Sequence, residues 1–242
     1  MSKNKRNLHD NGQLSLIPTK SDVSSFDNFL LGKDSSNTEL VDLLKKMIKH
    51  GMPSPYFLHG VSGSGKTHLL LATLRALQEK ELNTVFYFDL LNSAISPEFI
   101  NNVEQANFIC LDSIDVWAGD AAREQALFSI VERAKQNNWP ILIAASHKPS
   151  EIGINLADLV SRLSSGVVYG LATLDEDTIF AAIQLRAKER GLVMQDDAIR
   201  YLLTHYARDN KTLFATIDRL DKASLVAKRK VTVRFLQQVL NG

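Results

Sequence analysis

The chain has 242 residues, 45% of them hydrophobic and 23% charged, with a formal net charge of +1 and one cysteine, proportions that exclude a fibrous, collagenous or wholly disordered protein. Its longest apolar runs, such as Ile141 to Ala145, fall far short of the ~20 residues a bilayer crossing needs, and the lone Cys110 excludes an internal disulfide. No apolar stretch follows Lys3, Lys5 and Arg6, so no secretory signal or membrane span is read, the cytoplasm is the expected compartment, and near-neutral charge supplies no general pull on DNA.

Residues 1–24 are rich in Ser, Asn, Lys and Asp, too poor in apolar surface to offset the entropy of ordering, and are expected to be a mobile tail. One apolar island, Leu14 to Pro18, interrupts it. Ser36 and Glu39 have capping-box spacing, apolar residues recur at Leu40, Leu43, Leu44, Met47 and Ile48, and Gly51 can end the run, which predicts an amphipathic helix over 36–50.

Strand-like and helix-like segments then alternate: Tyr56 to His59, a helix from Lys66, Thr84 to Asp89, a helix beginning near Pro97, Phe108 to Asp112, a helix over Ala121 to Gln136, Ile141 to Ala145, and Val167 to Leu171. Such alternation builds a parallel sheet covered on both faces. Beyond residue 172 the period changes to helices alone, at Asp175 to Arg190, Asp196 to Ala207, Lys211 to Lys228 and Val233 to Leu240. The expected organisation is a tail at 1–24, an α/β nucleotide-binding domain at 25–172 and a small all-α lid at 173–242.

Gly60-Val-Ser-Gly-Ser-Gly-Lys-Thr67 matches GxxxxGKT, follows an apolar strand and opens a helix, which is the context a phosphate-binding loop requires. Gly60, Gly63, Ser64 and Gly65 let backbone N–H groups turn inward on phosphate oxygens, with the helix N-terminus adding partial positive charge. Lys66 is expected to reach the β- and γ-phosphates, and Thr67 to give its hydroxyl to Mg²⁺. Phe108 to Asp112 reads as a buried strand ending in the acid that completes the Mg²⁺ shell. The cofactors expected are therefore ADP or ATP with Mg²⁺. Many ATPases place a second acid next, to orient the attacking water; here it is Ser113, and a hydroxyl cannot act as a carboxylate base at neutral pH. Asp115 is expected to point elsewhere. Weak or absent intrinsic ATPase activity follows.

Phe26-Asp-Asn-Phe-Leu-Leu-Gly-Lys33, followed by Asn37, resembles the opening box of the bacterial replication initiator family DnaA, and the order of elements resembles its AAA+ ATPase domain over roughly 24–242. The resemblance implies an AAA+ P-loop fold with a helical lid, and base-side contacts from Phe29 and Leu30. Leu159-Val-Ser-Arg-Leu-Ser-Ser-Gly166 is similar to the family's box VII, which would make Arg162 an arginine finger offered to a nucleotide on a neighbouring subunit. Ser146 falls at the sensor 1 position and Lys211 at sensor 2, where the family more often has Asp and Arg. Lysine keeps the charge of arginine without its bidentate fork.

The chain stops at Gly242 after the lid, without the family's helix-turn-helix, so sequence-specific origin binding is not expected. Gln13-Leu-Ser-Leu-Ile-Pro18 resembles the peptide that replication proteins insert into the bacterial sliding clamp, with the Gln13 amide as anchor and Leu14, Leu16 and Ile17 as apolar contacts. The usual peptide has Phe where Ile17 stands. Together these features resemble the DnaA-homologous regulatory inactivators of the initiator. The function implied is clamp-tethered stimulation of ATP hydrolysis by DnaA, with DnaA and the polymerase III clamp as partners and association with the nucleoid through the clamp. The alternative is a self-hydrolysing AAA+ ATPase of helicase-loader type, and a homo-oligomer stays open.

Overall fold

The computed structural model describes residues 24–29, 31, 35–50, 55–80, 84–172, 174–206, 210–227 and 230–241. Gln13, Leu14, Leu16, Ile17 and Leu30 lie outside them, as does the side chain of Lys211. In chain order the elements are α1 (Ser35–His50), β1 (Pro55–His59), α2 (Lys66–Gln78), β2 (Val85–Asp89), α3 (Pro97–Asn101), β3 (Phe108–Asp112), α4 (Ala121–Gln136), β4 (Ile141–Ala145), α5 (Ala157–Ser164), β5 (Val167–Gly170), α6 (Glu176–Glu189), α7 (Asp196–Tyr206), α8 (Asn210–Ala227) and α9 (Val233–Asn241).

The strands form one parallel sheet in the order β2-β3-β4-β1-β5. β3 and β4 are buried along their whole length because both faces are covered. Alternation nevertheless sorts their side chains. Phe57, Ile109, Leu111, Ile141 and Ile143 enter one core with residues of α3, α4 and α5. Tyr56, Leu58, Phe108, Cys110, Leu142 and Ala144 enter the other, against α1 and α2. Burial pushes the Cys110 thiol up, so it is an inert core group. A third core belongs to α6–α9, built on Ile183, Leu202, Ile217 and Leu236.

Two expectations change. α5 was not predicted as a helix, and a 3-10 turn over Ile114–Trp117 follows β3. The β5–α5 junction needs a glycine: a Cβ on Gly166 would lie 1.9 Å from the Pro55 carbonyl oxygen at the start of β1.

Candidate nucleotide-binding site

The site forms at the carboxyl end of the sheet, where parallel α/β sheets present their functional loops. Register sets Asp89 level with Asp112 and His59 level with Ala145. Because β4 lies between β3 and β1, Ser146 leaves the sheet between Asp112 and Gly60. Three separate sequence motifs therefore meet through strand order alone.

The Gly60–Thr67 loop leads from β1 into α2. Gly65, at the N-cap of α2, has φ 98°, and a Cβ there would come within 2.6 Å of the Phe29 ring, so both conformation and contact require glycine. Gly63 also has positive φ, and Ser64 is buried beneath the loop. No side chain caps α2, which leaves its first-turn N–H groups and the helix dipole for an anion. Lys66 Nζ donates to the Gly60 carbonyl at 2.6 Å and to that of Val61 at 2.9 Å. Burial holds its pKa below the usual lysine value, against the pull of Asp112 and Asp115.

Thr67 Oγ1 donates to Asp112 Oδ2 at 2.7 Å, and the Tyr87 hydroxyl donates to the same oxygen at 3.1 Å. Asp112 is 2% exposed. Burial raises its pKa, the two hydrogen bonds draw it back, and Asp89 across the ladder raises it again. The Tyr87 phenol is pushed far up by burial and by Asp112. Tyr87 was not anticipated, although its place opposite Cys110, two residues before Asp112, puts it on the same face of the sheet.

Ser113 takes the left-handed conformation, φ 59° and ψ 44°, where the chain turns from β3 into the 3-10 segment. Asp115 Oδ1 accepts the Ser146 backbone N–H at 3.0 Å, tying the end of β3 to the exit of β4, and its charge still reaches Lys66. The Ser146 hydroxyl is 3.0 Å from His147 Nδ1. His59, just before the loop, is lowered by burial and by Lys148.

The opening segment packs on the loop and reaches α6 of the lid. The Phe29 ring, 8% exposed, packs on Gly65 and tilts against His68 at 5.5 Å. Ser25 and Asn28 exchange hydrogen bonds, and His68 Nε2 meets the Ser25 carbonyl at 2.9 Å. Asn28 Nδ2 donates to Glu189 of α6 at 3.0 Å, so one short segment bridges α2 and the lid. Asn37 accepts from the Ala172 N–H at 3.3 Å.

Arg162 sits on α5. Its Nη2 donates to Glu132 Oε2 of α4 at 3.4 Å, and its Nε forms an ion pair with Oε1, which accepts no hydrogen bond. Glu124, also on α4 and 1% exposed, accepts from Gly119 N at 2.7 Å, from Asn155 N at 3.0 and 3.1 Å, and from Leu156 N at 2.8 Å. Burial alone would raise its pKa, but the N–H groups of Asn155, Gly119 and Leu156 hold it below the usual carboxylate value. Leu156 is the N-cap of α5 and no side chain caps the helix, so the distant carboxylate instead fixes the backbone of Asn155 and Leu156 that leads into it. Neither glutamate was singled out from sequence.

The residues present fit a nucleoside phosphate with Mg²⁺. The uncapped α2 terminus and Lys66 suit phosphate, while a buried carboxylate raised by desolvation suits a cation beside it. Among the described residues no group of three acidic, His or Cys side chains could hold a metal unaided, so the cation would rely on phosphate oxygens together with Thr67 and Asp112. When bound, Mg²⁺ would neutralise phosphate charge.

Phosphate loop, acid-terminated β3, strand order and helical lid define a P-loop nucleotide-binding module of the AAA+ class. The bacterial DnaA ATPase domain model matches residues 21–171 and the Hda lid domain model matches residues 175–240. The chain thus belongs to the DnaA family, as an Hda-like, DnaA-homologous AAA+ protein. An uncharacterized protein of Haemophilus influenzae is 35% identical over 236 residues, covering 96% of this chain and 99% of that one. Domain III of the Thermotoga maritima replication initiation protein DnaA superposes with TM-score 0.76 at 19% identity, over 90% of this chain and 95% of that chain. AMPPCP-bound DnaA from Aquifex aeolicus superposes with TM-score 0.67 at 22% identity, over 90% of this chain and 68% of that chain. Among the described residues no helix is long and apolar enough to cross a membrane.

Proposed function

We propose that this protein is a regulatory inactivator of DnaA, binding ADP or ATP with Mg²⁺ as a structural ligand and presenting Arg162 to the ATP held by the initiator. Hydrolysis then takes place in the partner, which is left ADP-bound, so initiation does not repeat. The observation that carries this reading is the pairing of a DnaA-type ATPase unit with an Hda-type lid. The geometry beside Asp112 supports it. Ser113 replaces the acid that would orient water, and Asp115 is engaged with the Ser146 backbone. Own turnover is correspondingly slow.

A planar guanidinium placed beside a γ-phosphate neutralises charge that develops in transfer, an effect of ~10³ to 10⁵ in rate in other phosphoryl-transfer systems. Gln13, Leu14, Leu16 and Ile17 tether the protein to the sliding clamp, raising its local concentration on DNA without a tight direct contact. In this reading Phe29 and Leu30 are the base-side contacts, and Ser146 and Lys211 are the sensor 1 and sensor 2 residues. Residues 1–24, 25–172 and 173–242 act as tether, nucleotide-binding domain and lid.

The test is ATP hydrolysis by a DnaA-type initiator in the presence of DNA-loaded clamp. Unmodified protein is expected to stimulate it, Arg162→Ala to lose stimulation with or without clamp, and Gln13→Ala to lose it only where the clamp is needed. Equal stimulation by all three proteins would exclude the mechanism.

A further inference from the structure

α4 carries a second carboxylate facing α5, about two turns beyond Glu124. Glu124 fixes the backbone at the start of α5, and Glu132 takes the Arg162 guanidinium by its Nε and Nη2 edge. The pair is half-sheltered, with side chains 37% and 20% exposed, and it lies on a helix pair whose Ile130, Val131, Leu159 and Leu163 share one core. Among the described residues no partner falls on Arg162 Nη1. An unheld arginine samples many rotamers and must be ordered when it docks, whereas one held side-on before docking loses less freedom.

We propose that Glu132 is a positioning residue for Arg162, fixing one edge of the guanidinium so that Nη1 and the outer Nη2 hydrogen are presented to a phosphate on another protein. This rests on reading Arg162 as the group offered to the partner's nucleotide. It differs from a latch, in which the pair would have to break before Arg162 could act. It differs also from a plain brace between α4 and α5, which would affect melting but not the rate of a docked complex.

Initiator ATP hydrolysis is measured against concentration of the full-length protein, comparing the unmodified chain with Glu132→Ala, Glu132→Gln and Arg162→Ala. Glu132→Ala is expected to lower the maximal stimulated rate by roughly tenfold to a hundredfold, as misplacement of a reacting group does, with the half-saturating concentration unchanged. Glu132→Gln keeps an oxygen acceptor at the same reach and recovers part of the rate. An unchanged or raised maximal rate in Glu132→Ala, while Arg162→Ala is inactive, overturns the proposal.

If Arg162→Ala stimulates like the unmodified chain, the finger reading itself has failed. A partner-free measurement then decides what Glu132 does. Phenylglyoxal labelling of Arg162, followed by mass spectrometry, is expected to be slower in the unmodified protein than in Glu132→Ala. Equal labelling rates would show that Glu132 does not hold the guanidinium.

Discussion

Replacing Glu124 by Gln tests whether a carboxylate from α4 builds the entrance to α5. The two oxygens accept from three backbone N–H groups, those of Gly119, Asn155 and Leu156. Glutamine keeps one acceptor oxygen and turns the other into a donor, so at least one buried N–H loses its partner, at about 1–3 kcal/mol. The surviving bonds also lose the extra strength of an ionised acceptor. A total near 3 kcal/mol is expected, which for a chain of this size lowers the melting temperature by about 6–12 °C. The pH dependence gives a second check. Hydrogen bonding depresses the folded-state pKa below the ordinary glutamate value, so the stabilisation is present above that ordinary value and is lost as pH falls through the lower folded value. Thermal melts of both proteins followed by tryptophan fluorescence are suitable, because Trp117 is buried two residues before Gly119. The difference should be full at pH 7 and shrink once pH falls below the ordinary glutamate value. A Gln variant within about 0.5 kcal/mol of the parent, or a pH-independent gap, would refute the reasoning.

Three further outcomes follow from the site and the sheet. Gly166→Ala places a methyl 1.9 Å from the Pro55 oxygen and should cost about 3 kcal/mol or more in urea unfolding, whereas Gly153→Ala, with no atom within 4 Å, should cost only the ~1–2 kcal/mol of its left-handed backbone. Asp112→Asn should raise the melting temperature of the nucleotide-free protein at neutral pH, because the desolvated carboxylate penalises folding above its raised pKa and that penalty is relieved as pH falls through it. The same variant should bind a fluorescent ADP at least about tenfold more weakly when Mg²⁺ is present. Tyr87→Phe removes one of the two donors to Asp112 Oδ2 and should destabilise the protein by about 1 kcal/mol while weakening Mg²⁺-dependent nucleotide binding, read by the same titration.

The phosphate loop was legible because all its determinants lie in eight consecutive positions, Gly60 to Thr67, between a strand and a helix. Asp112 was legible as the polar end of an apolar strand. α5 was not: its N-cap is Leu156, and the N–H groups that lead into it, those of Asn155 and Leu156, are accepted by Glu124, about 30 positions away in sequence. Helix signals in sequence are local, so an acceptor supplied from another helix leaves none. Tyr87 and Glu132 escaped for the same reason, since their roles depend on β2–β3 register and on α4–α5 packing. Phe29 was identified by resemblance as a base-side contact; the structure adds that its ring packs against Gly65.

A regulatory inactivator and a self-hydrolysing ATPase differ in where hydrolysis occurs. The most direct measurement loads a DnaA-type initiator with labelled ATP and this protein with unlabelled ADP, then follows conversion of the label after mixing. Rapid conversion with the unmodified chain, absent with Arg162→Ala, is the expected result. Conversion that proceeds equally with Arg162→Ala, or ATP turnover by this chain alone that disappears in Lys66→Ala, would contradict it.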